Sequence, residues 1–86
     1  MEADQDIAKS LFERNKYLEV IDTCNRILVN DSNSIEAFKL LAKSLLATGK
    51  IEDARLYFTK ALEIQPDDCE LIKDIGNTYK AVGDLN

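Results

Sequence analysis

The chain has 86 residues, 45% of them hydrophobic, and a formal net charge of −5 at pH 7, which describes one small folded domain rather than a disordered segment. An acidic surface repels phosphate groups, so neither nucleic acid nor an anionic membrane is an expected partner. No run approaches the roughly 18 apolar residues of a membrane span, and the acidic start MEADQDIAKS does not resemble a signal peptide. We therefore expect a cytoplasmic location.

The first predicted elements are two helices joined by a tight turn. Asn15 interrupts the helical pattern, and asparagine tolerates the left-handed backbone that ends a helix. Ser34 is expected to cap the third helix because its hydroxyl can accept a backbone N–H bond. The apolar positions that define these two helices are Ile7, Ala8, Leu11 and Phe12, then Tyr17, Val20, Ile21, Cys24, Ile27 and Leu28.

Two further helices follow, and the signals that end them are stronger. Gly49 supplies a left-handed turn between them, and Pro66 disfavours helix at Gln65, so the fourth helix should end near Ile64. Asp68 should cap a fifth helix over 69–82, in which Gly76 is expected to be a packing glycine. The apolar positions of the third and fourth helices are Phe38, Leu41, Ala42 and Leu45, then Ala54, Phe58, Ala61 and Leu62.

The sequence repeats itself at an offset of 34 residues. Residues 1–34 and 35–68 share eight identities at this offset, and residues 69–86 continue the phase without an insertion. The shared pairs are Glu2/Glu36, Ala3/Ala37, Ala8/Ala42, Lys9/Lys43, Ser10/Ser44, Leu11/Leu45, Lys16/Lys50 and Leu28/Leu62. A fixed period of this length is typical of a stacked helical solenoid.

With these residues, the chain resembles the tetratricopeptide repeat family along its whole length. The second unit is nearly a full match, from Phe38 and Ala42 through Gly49 to Pro66, whereas the first unit has Asp4 at the large aromatic position. The resemblance implies an all-α, right-handed superhelix of five antiparallel-paired helices. We expect a single domain, 1–86, made of an atypical repeat 1–34, a near-consensus repeat 35–68, and the first helix of a third repeat within 69–86.

The resemblance also implies a function, which is to bind a peptide or protein segment on the concave surface formed by the first helix of each pair. Five of the eleven basic residues fall at such positions, which favours an acidic ligand; alternatively, this stripe is simply a solvated helix face. Lys73 and Asn77 are similar to one turn of the clamp by which some relatives hold carboxylates, although the rest of that clamp is missing. The predicted groove residues are Lys9, Phe12, Lys39, Lys43, Leu46, Lys73, Asn77 and Lys80.

The fifth helix has no following partner in this pattern. It could cap the stack through Leu71, or its other apolar face could join a second copy in a homodimer or helix exchange. The predicted self-association residues are Ile72, Ile75, Tyr79 and Val82. A further alternative is that the chain is an accessory repeat segment of a longer enzyme.

Residues that carry catalytic chemistry are scarce in this sequence. Histidine is absent, no phosphate-binding glycine loop is present, and the serines have no triad partners. The two cysteines, Cys24 and Cys69, are too few for a zinc site and are expected to be reduced thiols. We therefore expect no enzyme activity, no cofactor and no metal.

Overall fold

The computed structural model describes residues 4–81, and this part of the chain contains five α-helices. Their order along the chain is α1 (Asp4–Glu13), α2 (Tyr17–Asn30), α3 (Ile35–Ala47), α4 (Ile51–Ile64) and α5 (Cys69–Ala81). Each helix packs on its sequence neighbours, and α1 also packs on α3. The molecule is elongated, 49 × 26 × 18 Å, as expected for a helical solenoid.

The two turns inside the helix pairs have the left-handed backbone that the sequence predicted. Asn15 has φ of 61° and Gly49 has φ of +87°. Behind each turn an amide closes the end of the first helix, because Lys16 N–H donates to Leu11 O at 2.9 Å and Lys50 N–H donates to Leu45 O at 2.8 Å. The same left-handed turn thus occurs in both repeats, although only the second repeat has glycine at this position.

The connections between repeats end in side-chain caps, which confirms two predictions. Ser34 Oγ accepts from Ala37 N–H at 3.2 Å. Asp68 Oδ1 accepts from Glu70 N–H at 3.0 Å and from Leu71 N–H at 3.3 Å. The helix before Pro66 ends at Ile64, as predicted. These caps satisfy amides that have no partner within their own helix.

The core runs along the stack and includes several alanines. The alanines at 8, 42, 54 and 61 are all fully buried, which lets the helix axes approach closely. Phe58 is also fully buried, and the Phe38 and Tyr57 rings stack at 6.1 Å between α3 and α4. The near-consensus repeat therefore contributes the best-packed pair.

The fifth helix lies on α4 through one face. Leu71 and Thr78 are fully buried there, and Thr78 Oγ1 accepts from Arg55 Nε at 3.2 Å. Arg55 also lies over the Tyr79 ring, 4.0 Å from its centroid. The expectation that Leu71 packs on the preceding pair is confirmed.

The expectation that Gly76 packs closely is wrong within residues 4–81. A Cβ built on Gly76 meets no heavy atom within 4 Å. The physical reason is its direction, because Gly76 lies on the side of α5 opposite the buried Leu71 and Thr78. Its repeat equivalent, Ala42, is fully buried in α3.

Candidate peptide-binding groove

The first helices of the repeats, α1, α3 and α5, carry the side chains of the candidate groove. Neighbouring first helices form two creases, one between α1 and α3 and one between α3 and α5. The two creases differ in what fills them. All predicted groove residues fall within the described part of the chain, and Lys9, Lys73, Asn77 and Lys80 are exposed there.

The crease between α1 and α3 is open. It holds a cavity of about 110 Å³ lined by Gln5, Asp6, Lys9, Glu36 and Leu40. Gln5 Nε2 donates to Ser34 Oγ at 3.3 Å, so one wall of the crease is attached to the cap of α3. An apolar floor with polar walls can accept one side chain of an extended peptide.

The crease between α3 and α5 is bridged by ion pairs within the chain. Lys39 Nζ lies 2.8 Å from Asp68 Oδ2 and 3.6 Å from Glu70 Oε1. Lys43 Nζ donates to Glu70 Oε2 at 3.2 Å. Two of the five lysines predicted to attract a ligand are therefore already paired with carboxylates of this chain.

These contacts shift the protonation equilibria of the groups that make them. The hydrogen bond from Lys39 is the main cause that lowers the pKa of Asp68, and the hydrogen bond from Lys43 lowers the pKa of Glu70. The hydrogen bond to Asp68 raises the pKa of Lys39. All three groups are thus held in their charged forms at neutral pH.

Asp74 is the exception in this cluster. Its Oδ2 atom is buried, and no hydrogen-bond partner lies within reach in the described part of the chain. Burial is the main cause that raises the pKa of Asp74, while Lys43 and Lys39 oppose the shift. The cluster contains two lysines and three carboxylates, so this stretch of the groove is not positively charged at neutral pH.

The two predicted apolar groove residues pack against the core. Phe12 and Leu46 are only partly exposed and pack against buried residues. The Phe12 ring also meets Tyr17 edge-on, with centroids 5.7 Å apart. These side chains can present an edge to a ligand but are not free anchors.

The free positive charge of the surface lies on its outer helices. Within residues 4–81, no carboxylate is in ion-pair distance of Lys9 on α1 or of Lys73 and Lys80 on α5. Asn77 lies one turn from Lys73 and is also exposed. The charge available to an acidic ligand is therefore at the two edges of the groove.

The predicted self-association face is partly bare. Ile72 is 53% exposed and Tyr79 is 50% exposed, while Ile75 packs partly against the core. Val82, the fourth residue of that set, lies outside the described residues.

Sequence reasoning missed the sixth position of each 34-residue unit. Asp6 and Leu40 line the open crease, and Asp74 lies in the bridged one. The 34-residue repeat could have identified these residues as part of the groove. The three positions are equivalent in the repeat, and each lies one helical turn from a predicted groove position. Asp68 was predicted as a cap, but its second role as the partner of Lys39 was not.

Other kinds of site are not visible in the described part of the chain. No group of three potential ligands there could hold a metal ion, and no helix there is long and apolar enough to cross a membrane. Cys24 is buried and Cys69 exposed, and both are free thiols.

Comparisons with known proteins agree with this architecture. The tetratricopeptide repeat family model matches residues 35–68. A solved structure described as the first TPR of Spaghetti (RPAP3) bound to the HSP90 peptide SRMEEVD aligns with a TM-score of 0.89 and 19% identity, covering 93% of this chain and 64% of that one. The NMR structure of the first TPR domain of human RPAP3 aligns with a TM-score of 0.89 and 18% identity, covering 94% and 64% of the two chains.

The chain thus spans about 64% of the length of these two solved structures. A search of curated proteins finds no significant match. At this level of identity the structural likeness shows the fold alone.

The five helices of residues 4–81, two pairs and a fifth helix, follow the 34-residue repeat of the sequence and define a helical-repeat fold. Residues 35–68 match the tetratricopeptide repeat family, and the chain has the helical-solenoid fold of the tetratricopeptide repeat domains to which it is similar.

Proposed function

We propose that this domain binds a peptide segment of a partner protein across α1, α3 and α5. The observation that carries the proposal is the open crease between α1 and α3, whose apolar floor at Leu40 lies between the polar side chains of Gln5, Lys9 and Glu36. A peptide-bound neighbour of the same fold supports this use of the surface. Tetratricopeptide repeats are interaction modules, and the proposal involves no catalysis.

We further propose that the preferred ligand is acidic. Lys9, Lys73 and Lys80 are exposed and free of internal ion pairs among the described residues, so they can attract carboxylates from solution. Lys39 and Lys43 contribute less, because a ligand carboxylate must compete there with Asp68 and Glu70. The acidic peptide SRMEEVD, which the peptide-bound neighbour holds, is a suitable probe.

The test is a titration of that peptide, labelled at its N-terminus, into the 86-residue chain. Reversing Lys73 and Lys80 to glutamate should weaken binding about tenfold or more, since two attractive contacts become repulsive. The matched control is Lys60→Glu, which makes the same charge change at an exposed position of α4, outside the groove. Equal binding by the wild type and the double variant would remove the acidic-ligand proposal.

Lys73 and Lys80 are suitable for this test, whereas Lys39 and Lys43 are not. Reversing Lys39 and Lys43 would place glutamates beside Asp68 and Glu70 and would destabilise the junction of α3 and α5 as well as change the groove charge. A version of the peptide with glutamines for its glutamates, which removes two of its negative charges, separates charge from shape. If neither peptide binds the wild type, the groove proposal itself fails.

Three other expectations stay predictions: self-association, a role as an accessory segment of a longer enzyme, and cytoplasmic location. Sedimentation equilibrium tests the first, because a strict monomer at high micromolar concentration would exclude a homodimer. The length of the full open reading frame tests the second.

A further inference from the structure

Glu36 and Glu70 are equivalent residues of successive repeats, 34 positions apart, but their surroundings differ. Two ammonium groups of α3 approach Glu70, that of Lys43 at 3.2 Å and that of Lys39 at 3.6 Å. Glu36 lines the cavity between α1 and α3 instead. Within residues 4–81, no ammonium or guanidinium group lies in ion-pair distance of Glu36.

The difference begins at the fifth position of each repeat. Gln5 of α1 is the equivalent of Lys39, and Ser34 is the equivalent of Asp68. The charged contact between Lys39 and Asp68, 2.8 Å long, is therefore replaced by a neutral bond from Gln5 Nε2 to Ser34 Oγ, 3.3 Å long. As a result, α1 has no lysine at the position from which α3 reaches the glutamate of the next repeat.

The other lysines near the crease do not replace that contact. Lys9 is the equivalent of Lys43 and lines the same cavity, but neither Glu36 nor Asp6 is in ion-pair distance of it among the described residues. Lys39 interacts with Glu36 only at longer range, because its ammonium group is bonded to the cap of α5. The residues that line the cavity thus include two carboxylates and one ammonium group.

The floor of the cavity is apolar. Leu40 is 9% exposed and lies among the polar lining residues, in a space of about 110 Å³. A long basic side chain suits such a site, since its alkyl stem can pack on Leu40 while its charged end bonds to Glu36 and Asp6. An acidic side chain would be repelled by both carboxylates, and an apolar one would desolvate them without a partner.

We propose that the crease between α1 and α3 accepts one basic side chain of the bound peptide. That side chain supplies to Glu36 the positive charge that Lys39 and Lys43 supply to Glu70. This inference rests on the proposed function and adds to it. The ligand carries both signs of charge, with a basic residue toward α1 and carboxylates toward Lys73 and Lys80 of α5.

The dimensions of the groove set the spacing of those charges along the peptide. Packed helices are about 8–10 Å apart, so two steps from α1 to α5 cover about 16–20 Å. An extended peptide covers about 3.3–3.6 Å per residue, which places the basic residue about five residues from the carboxylate. The probe peptide SRMEEVD has this layout, because its arginine precedes its last residue by five positions.

The experiment compares labelled SRMEEVD with the same peptide carrying citrulline in place of arginine, which keeps the shape and removes the charge. The wild-type chain should bind the arginine peptide about two- to fivefold more tightly, the range for one exposed charge pair. Glu36→Gln should weaken the arginine peptide and remove the preference. The matched control, Glu63→Gln, removes the same charge from an exposed position of α4 and should keep the preference.

Gln5→Lys is a second variant, and it gives α1 the residue that α3 has at the equivalent position. Its ammonium group should pair with Glu36, so the citrulline peptide should bind more tightly while the arginine peptide gains nothing. A groove that only attracts negative charge would bind both peptides more tightly by the same factor. Asn25→Lys adds the same charge at an exposed position of α2 and is the matched control.

The variants change exposed positions, so circular dichroism should show unchanged helicity in each of them. Saturable binding with equal affinity for the two peptides would overturn this inference and leave the proposed function intact. An unchanged preference in Glu36→Gln would also overturn it. Absence of binding by both peptides would overturn the proposed function as well, so the two failures are distinguishable.

Discussion

Lys39 Nζ lies 2.8 Å from Asp68 Oδ2, and the other oxygen of the same carboxylate caps α5. One aspartate thus fixes the start of the fifth helix and attaches it to the groove-lining helix of the preceding repeat. Both side chains are largely buried, at 16% and 15% exposure. The junction between the last two repeats therefore depends on this residue.

Asp68→Ala should destabilise the domain more than Asp68→Asn does. Asparagine can still accept the α5 amide bonds, so it loses only the charge beside Lys39, whereas alanine loses the cap as well. Urea unfolding followed by circular dichroism measures the order. Equal unfolding midpoints for the two variants would contradict a capping role.

The contribution of Asp68 has a defined pH dependence. Its pKa is lowered in the folded state, so its stabilisation is fully present above the unfolded value of about 3.9 and is lost as the pH falls through the lower folded value. The gap between wild type and Asp68→Asn should therefore be constant from pH 7 to pH 5 and should close only in strong acid.

Glu70→Gln should increase the affinity for the acidic probe peptide. The substitution frees Lys43 from its 3.2 Å partner and removes a carboxylate from the groove. We expect a gain of about two- to fivefold, of the size expected for one exposed charge pair. Peptide titration at low and high salt measures it, and the gain should shrink with salt.

Glu63→Gln is the matched control for that variant, because it removes one carboxylate from an exposed position of α4. An equal gain from Glu63→Gln would indicate a general charge effect. An unchanged affinity for Glu70→Gln, with the wild type still binding, would show that Glu70 does not compete with the ligand.

Asp74→Asn should stabilise the domain at neutral pH by about 1 kcal/mol, because it removes a carboxylate charge that is desolvated by burial. The pKa of Asp74 is raised in the folded state, so the charged form opposes folding above that pKa and the penalty disappears as the carboxyl is protonated. The advantage of asparagine should therefore decrease as the pH falls toward 4. Urea unfolding at several pH values tests this, and a destabilised variant at pH 7 would show that Asp74 has a partner.

Most of the fold could be predicted from the sequence, because the residues that turn, cap and end the helices act locally. Turn residues such as Asn15 and Gly49, the caps Ser34 and Asp68, and the proline after α4 each act within a few residues of their own position. The 34-residue period then placed the helices in order, although the first repeat has Asp4 where a large aromatic residue is usual. Periodicity predicts which residues share a face.

The candidate groove was predictable only in outline. Helical spacing correctly placed Lys39 and Lys43 on α3, but their charge is neutralised by Asp68 and Glu70, which are 27 to 31 residues away in sequence. Such pairing depends on how adjacent repeats are spaced and rotated, and no local pattern encodes that. The burial of Asp74 depends on the same stacking.

Cys24 provides a test of the core that does not involve the groove. Burial raises the pKa of its thiol to about 12, and the side chain is fully buried, so it should resist modification in the native state. Ellman's reagent at pH 8 should report one fast thiol per chain, Cys69, and two after denaturation. Because the folded pKa is raised, Cys24 stabilises the fold fully below the unfolded value of about 8.5, and this contribution is lost as the pH rises toward 12. Cys24→Ala should flatten that alkaline decline in stability. In the thiol titration, two fast thiols in the native protein would show that α2 does not pack as described.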